Sequence, residues 1–144
     1  MELTASADVD MLGLCDEAPA VGAVLFADLS GFRQLTETYG DEAAADAAGR
    51  FVALVRRSLA PGACVVKTLG DGVLVVAPDL DAARQTATQI RGAVMVDEGL
   101  PPVHAGIRAG SVVWRRGDVF GATVNDAARL ADSAGPWEIA EQYT

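Results

Sequence analysis

At 144 residues the chain has the size of one domain, and 51% hydrophobic against 22% charged residues is a globular composition that excludes a disordered or fibrous chain. A net charge of −9 disfavours nucleic acid and anionic membrane as main partners, because like charges repel. No run approaches the roughly 20 apolar residues of a membrane helix, Met1–Asp10 is acidic where a signal peptide would be basic, and Cys15 and Cys64 match no metal spacing, so a reduced cytoplasmic protein is the simplest fit.

Residues 1–20 form an N-terminal segment without an assigned role, either a short docking helix around Val9, Leu12 and Leu14 or a loose tail. Residues 21–144 form the folded domain. The apolar run Val21–Ala27, between Pro19 and Gly31, predicts a buried strand that ends at Asp28. Asp41 reads as a helix N-cap with Glu42 in the first turn. Behind it Ala44, Ala48, Phe51, Val52, Val55 and Leu59 line one face until Pro61-Gly62 stops the helix. Ala63–Leu69 and Val73–Ala77, rich in β-branched residues and separated by Gly70-Asp71-Gly72, predict a hairpin with Asp71 at its tip.

Asp79 or Asp81 caps a further helix that turns Leu80, Ala83, Ala87, Ile90 and Val94 inward. The alternation over Val103–Ala109 predicts a strand with one covered face. Val112–Trp114 follows as its hairpin partner through a Gly110–Ser111 corner, then a helix over Thr123–Ser133 and a strand around Trp137–Ala140. Hairpins interleaved with helices predict an α+β fold, a mainly antiparallel sheet with helices on one face.

Asp28 and Asp71 are each expected at a strand end, following apolar residues. Brought together, two such carboxylates make a hard oxygen site suited to Mg²⁺ or Mn²⁺; taken separately, one is a cap and the other a turn residue. Ser30-Gly31-Phe32 is a small turn towards a helix start, where backbone N–H groups can hold phosphate oxygens. Lys67 is the sole lysine beside ten arginines, which points to a task for a compact point donor, against the plainer reading of a strand lysine snorkelling to water. It lies four residues from Asp71, about 13 Å along an extended strand, so the two do not grip the same ligand atoms.

Asn125 and Arg129, spaced i, i+4, share one helix face and can both reach into a cleft, although an ordinary amphipathic helix has the same spacing. His104, the sole histidine, has no partner at a recognisable spacing and reads as a strand-surface residue. Trp114-Arg115-Arg116 is a basic patch too small for nucleic acid and reads as a loop or subunit contact.

Three stretches, VLFADLSGF, VVKTLGDGVLVVAP and GDVFGATVNDAARL, stand in the order and at separations that resemble the catalytic domain of class III nucleotidyl cyclases, adenylate cyclases in particular. The resemblance runs from about Val21 to Ala140 and implies a ferredoxin-like α+β fold. It implies ATP as substrate, cyclic AMP and pyrophosphate as products, and two Mg²⁺ or Mn²⁺ ions per site on Asp28 and Asp71. Gly31 and Phe32 fall in the phosphate-facing turn, Lys67 and Asp118 match the pair that reads adenine, Asn125 the ribose-orienting residue, and Arg129 the transition-state residue.

The same resemblance implies a head-to-tail homodimer with two shared sites. One subunit gives Asp28 and Asp71, the other Lys67, Asp118, Asn125 and Arg129. Arg33 stands where the family usually has threonine, and the chain stops at Thr144, short of the helix, strands and triphosphate-contacting lysine with which the family normally continues. The competing reading is a catalytically silent cyclase-homology module serving dimerisation or nucleotide sensing. A diguanylate cyclase is not indicated, since no Gly-Gly-Asp-Glu-Phe stretch occurs.

Overall fold

The computed structural model describes residues 13–142; Val9 and Leu12, considered above for a docking helix, lie outside them. In chain order the elements are β1 (Ala23–Leu29), α1 (Phe32–Tyr39), α2 (Asp41–Arg57), β2 (Cys64–Leu69), β3 (Gly72–Ala77), α3 (Leu80–Met95), β4 (Val103–Ala109), β5 (Val113–Arg115), β6 (Asp118–Phe120), α4 (Ala122–Ser133) and β7 (Ile139–Gln142). Strands β1 to β4 and β7 make one sheet in the order β2-β3-β1-β4-β7, antiparallel except where β7 runs parallel to β4. Strands β5 and β6 pair antiparallel in a sheet of their own. No helix among the described residues is long and apolar enough to cross a membrane.

The period of two along each strand divides the core. Leu25, Ala27, Val73, Val75 and Ile107 face Phe51 and Val55 of α2 and Ile90 and Val94 of α3. The other face presents Val24, Leu74 and Val76, which meet Val119 of β6 and Ala127 of α4. The expected α+β class and largely antiparallel sheet are present, with α1, α2 and α3 on the expected single face. The structure adds α4 on the opposite one. Gly106 permits this: a Cβ there would stand 2.3 Å from the Ala131 amide nitrogen and 2.4 Å from the Ala127 carbonyl oxygen, so α4 rests directly on the backbone of β4. The alternation that predicts one covered face for β4 therefore describes a strand covered on both.

Three local expectations are corrected. Gly40, not Asp41, caps α2; at φ 93° it accepts from the Ala44 amide and donates to Thr36, closing α1 and opening α2 in one residue. Asp41 and Glu42 occupy the first turn, where carboxylates favour the helix dipole. The second hairpin forms between β5 and β6 rather than β4 and β5, because β1 and β7 already fill both edges of β4. Cys15 and Cys64 are not a reduced pair but a disulfide. A parallel bridge between Leu14 and Val65 brings the Cα atoms of Cys15 and Cys64 to 5.0 Å, within bridging reach. Of the two caps considered for α3, Asp79 serves, accepting from the Ala82 amide at 2.8 Å.

Two glycines predict opposite outcomes for one substitution. Gly106→Ala drives a methyl into the α4 backbone and should lower unfolding stability by about 3 kcal/mol. Gly49→Ala, inside α2 with open space around it, should raise stability by about 1 kcal/mol through the unfolded chain's lost freedom. Urea unfolding of both variants measures the pair.

Candidate functional site

Asp28 and Asp71 come together at one end of the sheet. Asp28, the penultimate residue of β1, lies opposite Gly72 in the register, and its carboxylate is so close over that residue that a Cβ on Gly72 would stand 1.8 Å from Oδ1. Asp71 occupies the β2–β3 turn as expected, with its carbonyl accepting from the Leu29 amide at 3.3 Å. Burial first, and then the neighbouring Asp71, push the Asp28 carboxyl above its ordinary range; His104 opposes this and Asp132 adds to it. Such a pair of hard oxygen donors, one of them half-buried, fits magnesium or manganese. Among the described residues no third carboxylate, cysteine or histidine completes a metal-binding group, so the remaining ligands would be water or substrate oxygens.

The chain then turns into α1. Gly31, at φ 71°, reverses direction, and the Ser30 amide donates to Pro102. The α1 N-terminus has no side-chain cap. The Phe32 side chain packs half-buried on the helix-covered core, so only its backbone belongs to the turn.

Lys67 owes its position to a β-bulge. Val65 pairs with Val75 on the α2–α3 face, and strict alternation would send Lys67 to that same apolar side. The register shifts between them, so Lys67 pairs with Leu74 and faces the opposite side. There its Nζ donates to Asp118 Oδ2 at 2.9 Å. Asp118 opens β6 after the Arg116–Gly117 turn, and its Oδ1 accepts from the Val119 amide at 2.7 Å. These hydrogen bonds, that of Lys67 above all, hold the Asp118 carboxyl below its ordinary range.

Asn125 and Arg129 lie on the exposed face of α4, with the Arg129 side chain 74% accessible. Arg129 Nη2 donates to Asp126 Oδ1 at 2.8 Å, and Arg108 Nε donates to Asp126 Oδ2 at 3.3 Å. The site residues thus fall into three groups: Asp28 with Asp71, Lys67 with Asp118, and Asn125 with Arg129. No hydrogen bond or ion pair joins the first group to the other two among the described residues.

Sequence reasoning missed Asp126, although its position three residues before Arg129 is the spacing of a helical ion pair. It also missed the closeness of Asp132 to Asp28, which depends on where α4 crosses the sheet. His104 is more enclosed than a surface residue; its Nδ1 lies 2.6 Å from the Ala131 carbonyl oxygen. Trp114 is fastened by its indole N–H to the Pro19 carbonyl at 3.0 Å.

No protein-family model matches the sequence. Over 116 residues, 81% of this chain, it is 40% identical to a pH-sensitive adenylate cyclase of Mycobacterium tuberculosis. Over 112 residues, 77% of this chain, it is 42% identical to an adenylate cyclase of Streptomyces griseus. The chain spans 29% and 28% of the lengths of those two relatives. The crystal structure of an adenylate/guanylate cyclase/hydrolase from Silicibacter pomeroyi superposes with a TM-score of 0.70 at 30% identity, covering 86% of this chain and 76% of that one.

The raised Asp28 carboxyl sets a pH dependence. Between its unfolded value and the raised folded value, the native state holds the extra proton. Stability therefore falls as pH rises through that window and stays lower above it. Asp28→Asn should raise the melting temperature of metal-free protein at neutral pH, with the gain shrinking on acidification through the same window. Thermal unfolding across pH checks both parts.

Proposed function

Because the chain belongs to the class III nucleotidyl cyclase family, we propose that it converts ATP to cyclic AMP and pyrophosphate at a site shared by two copies. The reaction is an in-line displacement. The ribose 3′ hydroxyl loses its proton, its oxygen forms a bond to the α-phosphorus, and the bond to the departing pyrophosphate breaks. Asp28 and Asp71 would hold two Mg²⁺ or Mn²⁺ ions, whose chemistry is to favour loss of the 3′ proton and to neutralise the leaving group. The backbone amides at Gly31 and Phe32 would face phosphate oxygens.

The Lys67–Asp118 pair carries the choice of adenine. A lysine donor beside a carboxylate acceptor complements a ring nitrogen and the exocyclic amine of adenine. Guanine reverses that pattern and leaves both groups mispaired, a loss of roughly 1–3 kcal/mol each. Before nucleotide arrives, the two side chains satisfy each other at 2.9 Å. Asn125 would orient the ribose. Arg129 would face the charge growing on the α-phosphoryl oxygens.

The grouping of residues supports the shared site. Among the described residues no hydrogen bond or ion pair links the two carboxylates to the remaining four residues, and Arg129 is presented outward. A head-to-tail pair would set the Arg129 face of one copy against the Asp28 end of the other, giving two equivalent sites.

Purified protein with Mn²⁺ and ATP should form cyclic AMP, at a rate rising faster than linearly with protein concentration. Absence of product at every concentration would favour the silent module. Arg129→Ala should lower the rate on the order of a hundredfold, the scale of losing one donor to transition-state charge. Lys67→Glu combined with Asp118→Ser should reduce ATP use and shift preference towards GTP; unchanged ATP turnover would remove the adenine-reading role.

A further inference from the structure

Residues 13–19 form a strap between two parts of the molecule that share no ladder of hydrogen bonds, the β2 edge of the main sheet and the β5–β6 hairpin. At one end the Cys15 amide donates to Val65 and the Val65 amide to Gly13, and the Cys15–Cys64 disulfide closes the contact covalently. At the other end Trp114 Nε1 of β5 donates to the Pro19 carbonyl at 3.0 Å. Cys15, Cys64, Val66 and Trp114 pack around the apolar cluster that includes Val119, the residue after Asp118. Each partner of the Lys67–Asp118 pair is therefore anchored close by. Cys64 lies three residues before Lys67 with the bulge between them, and Trp114 pairs with Val119 across the hairpin.

An ion pair as accessible as Lys67–Asp118 holds little on its own. At 40% and 32% side-chain exposure it is screened by water and contributes little. Something else must keep a flexible lysine and a hairpin aspartate in one geometry. We propose that Cys15, Cys64 and Trp114 are positioning residues for Lys67 and Asp118, the strap setting how sharply the site discriminates between purines. The discrimination part rests on the cyclase reading; the positioning part does not.

A cavity of about 370 Å³, lined by Cys15, Asp16 and Glu17 of the strap and Trp114, Arg116 and Gly117 of the hairpin, adjoins the Cys15 end of the cross-link. Reduction by dithiothreitol breaks the S–S bond. Two electrons and two protons pass to the sulfurs, which become thiols, while the reagent closes to its own cyclic disulfide.

The test compares oxidised protein, dithiothreitol-reduced protein, Cys15→Ser/Cys64→Ser and Trp114→Phe, with the cross-link verified by mass and the fold by circular dichroism. The ATP-over-GTP ratio of kcat/KM should fall about tenfold in the last three, the scale of one weakened polar contact, and recover when the wild type is reoxidised. Without any turnover, the Asp118 carboxyl should titrate closer to its ordinary value by NMR, and amides of residues 64–69 and 113–120 should exchange faster. If the serine variant fails to fold, reduction and Trp114→Phe still decide. Absence of the cross-link from oxidised protein overturns the proposal, as does an unmoved Asp118 titration once the bond is open. An Asp118 shift without cyclase activity in any form upholds the strap and overturns the cyclase reading.

Discussion

A half-buried carboxylate with a second carboxylate beside it is an arrangement that folding alone does not favour. Removing Asp28 from water costs free energy, and Asp71 adds repulsion. The fold nonetheless builds the place carefully. Asp28 is carried to the end of the central strand, Gly72 lacks the side chain that would displace its carboxylate, and the hairpin turn brings Asp71 alongside. Under the proposed metal role, a cation held there would relieve this repulsion and so couple the architecture to its chemistry.

The two faces of the sheet divide the labour. The α1, α2 and α3 side is a continuous apolar core that holds the strands rigid. The other side is covered in patches by α4 and the β5–β6 hairpin, and it is this incomplete cover that leaves Lys67, Asp118, Asn125 and Arg129 reachable. A bulge in β2 and a glycine in β4 make the second face what it is. One redirects a lysine out of the core, and the other lets a helix lie against bare backbone.

Much of this was legible in the residues. The apolar run before Asp28, the glycine-flanked Asp71 and the periodicity of α3 each report a local preference, and local preferences are what a sequence states most directly. The three motifs also carried the family resemblance. The face assigned to α4 was not legible, because Gly106 stands where alternation expects a polar outward residue and its meaning depends on what crosses above it. The bulge at Val66 was hidden too: Val65-Val66-Lys67 contains no glycine or break, and the shift arises from pairing with β3. The disulfide joins residues 49 apart, so only the docking of Leu14 beside Val65 brings the sulfurs together. Partner strand, crossing helix and cross-link are all long-range facts, decided by packing.

The central claim is that one catalytic site draws its carboxylates from one copy of the chain and Arg129 from another. Mixing two individually inactive variants, Asp71→Asn and Arg129→Ala, tests it most directly through the rate of cyclic AMP formation. Half of the randomly formed dimers then carry one intact site of two, so the mixture should recover about a quarter of wild-type activity. A mixture no more active than either variant alone would contradict the shared site.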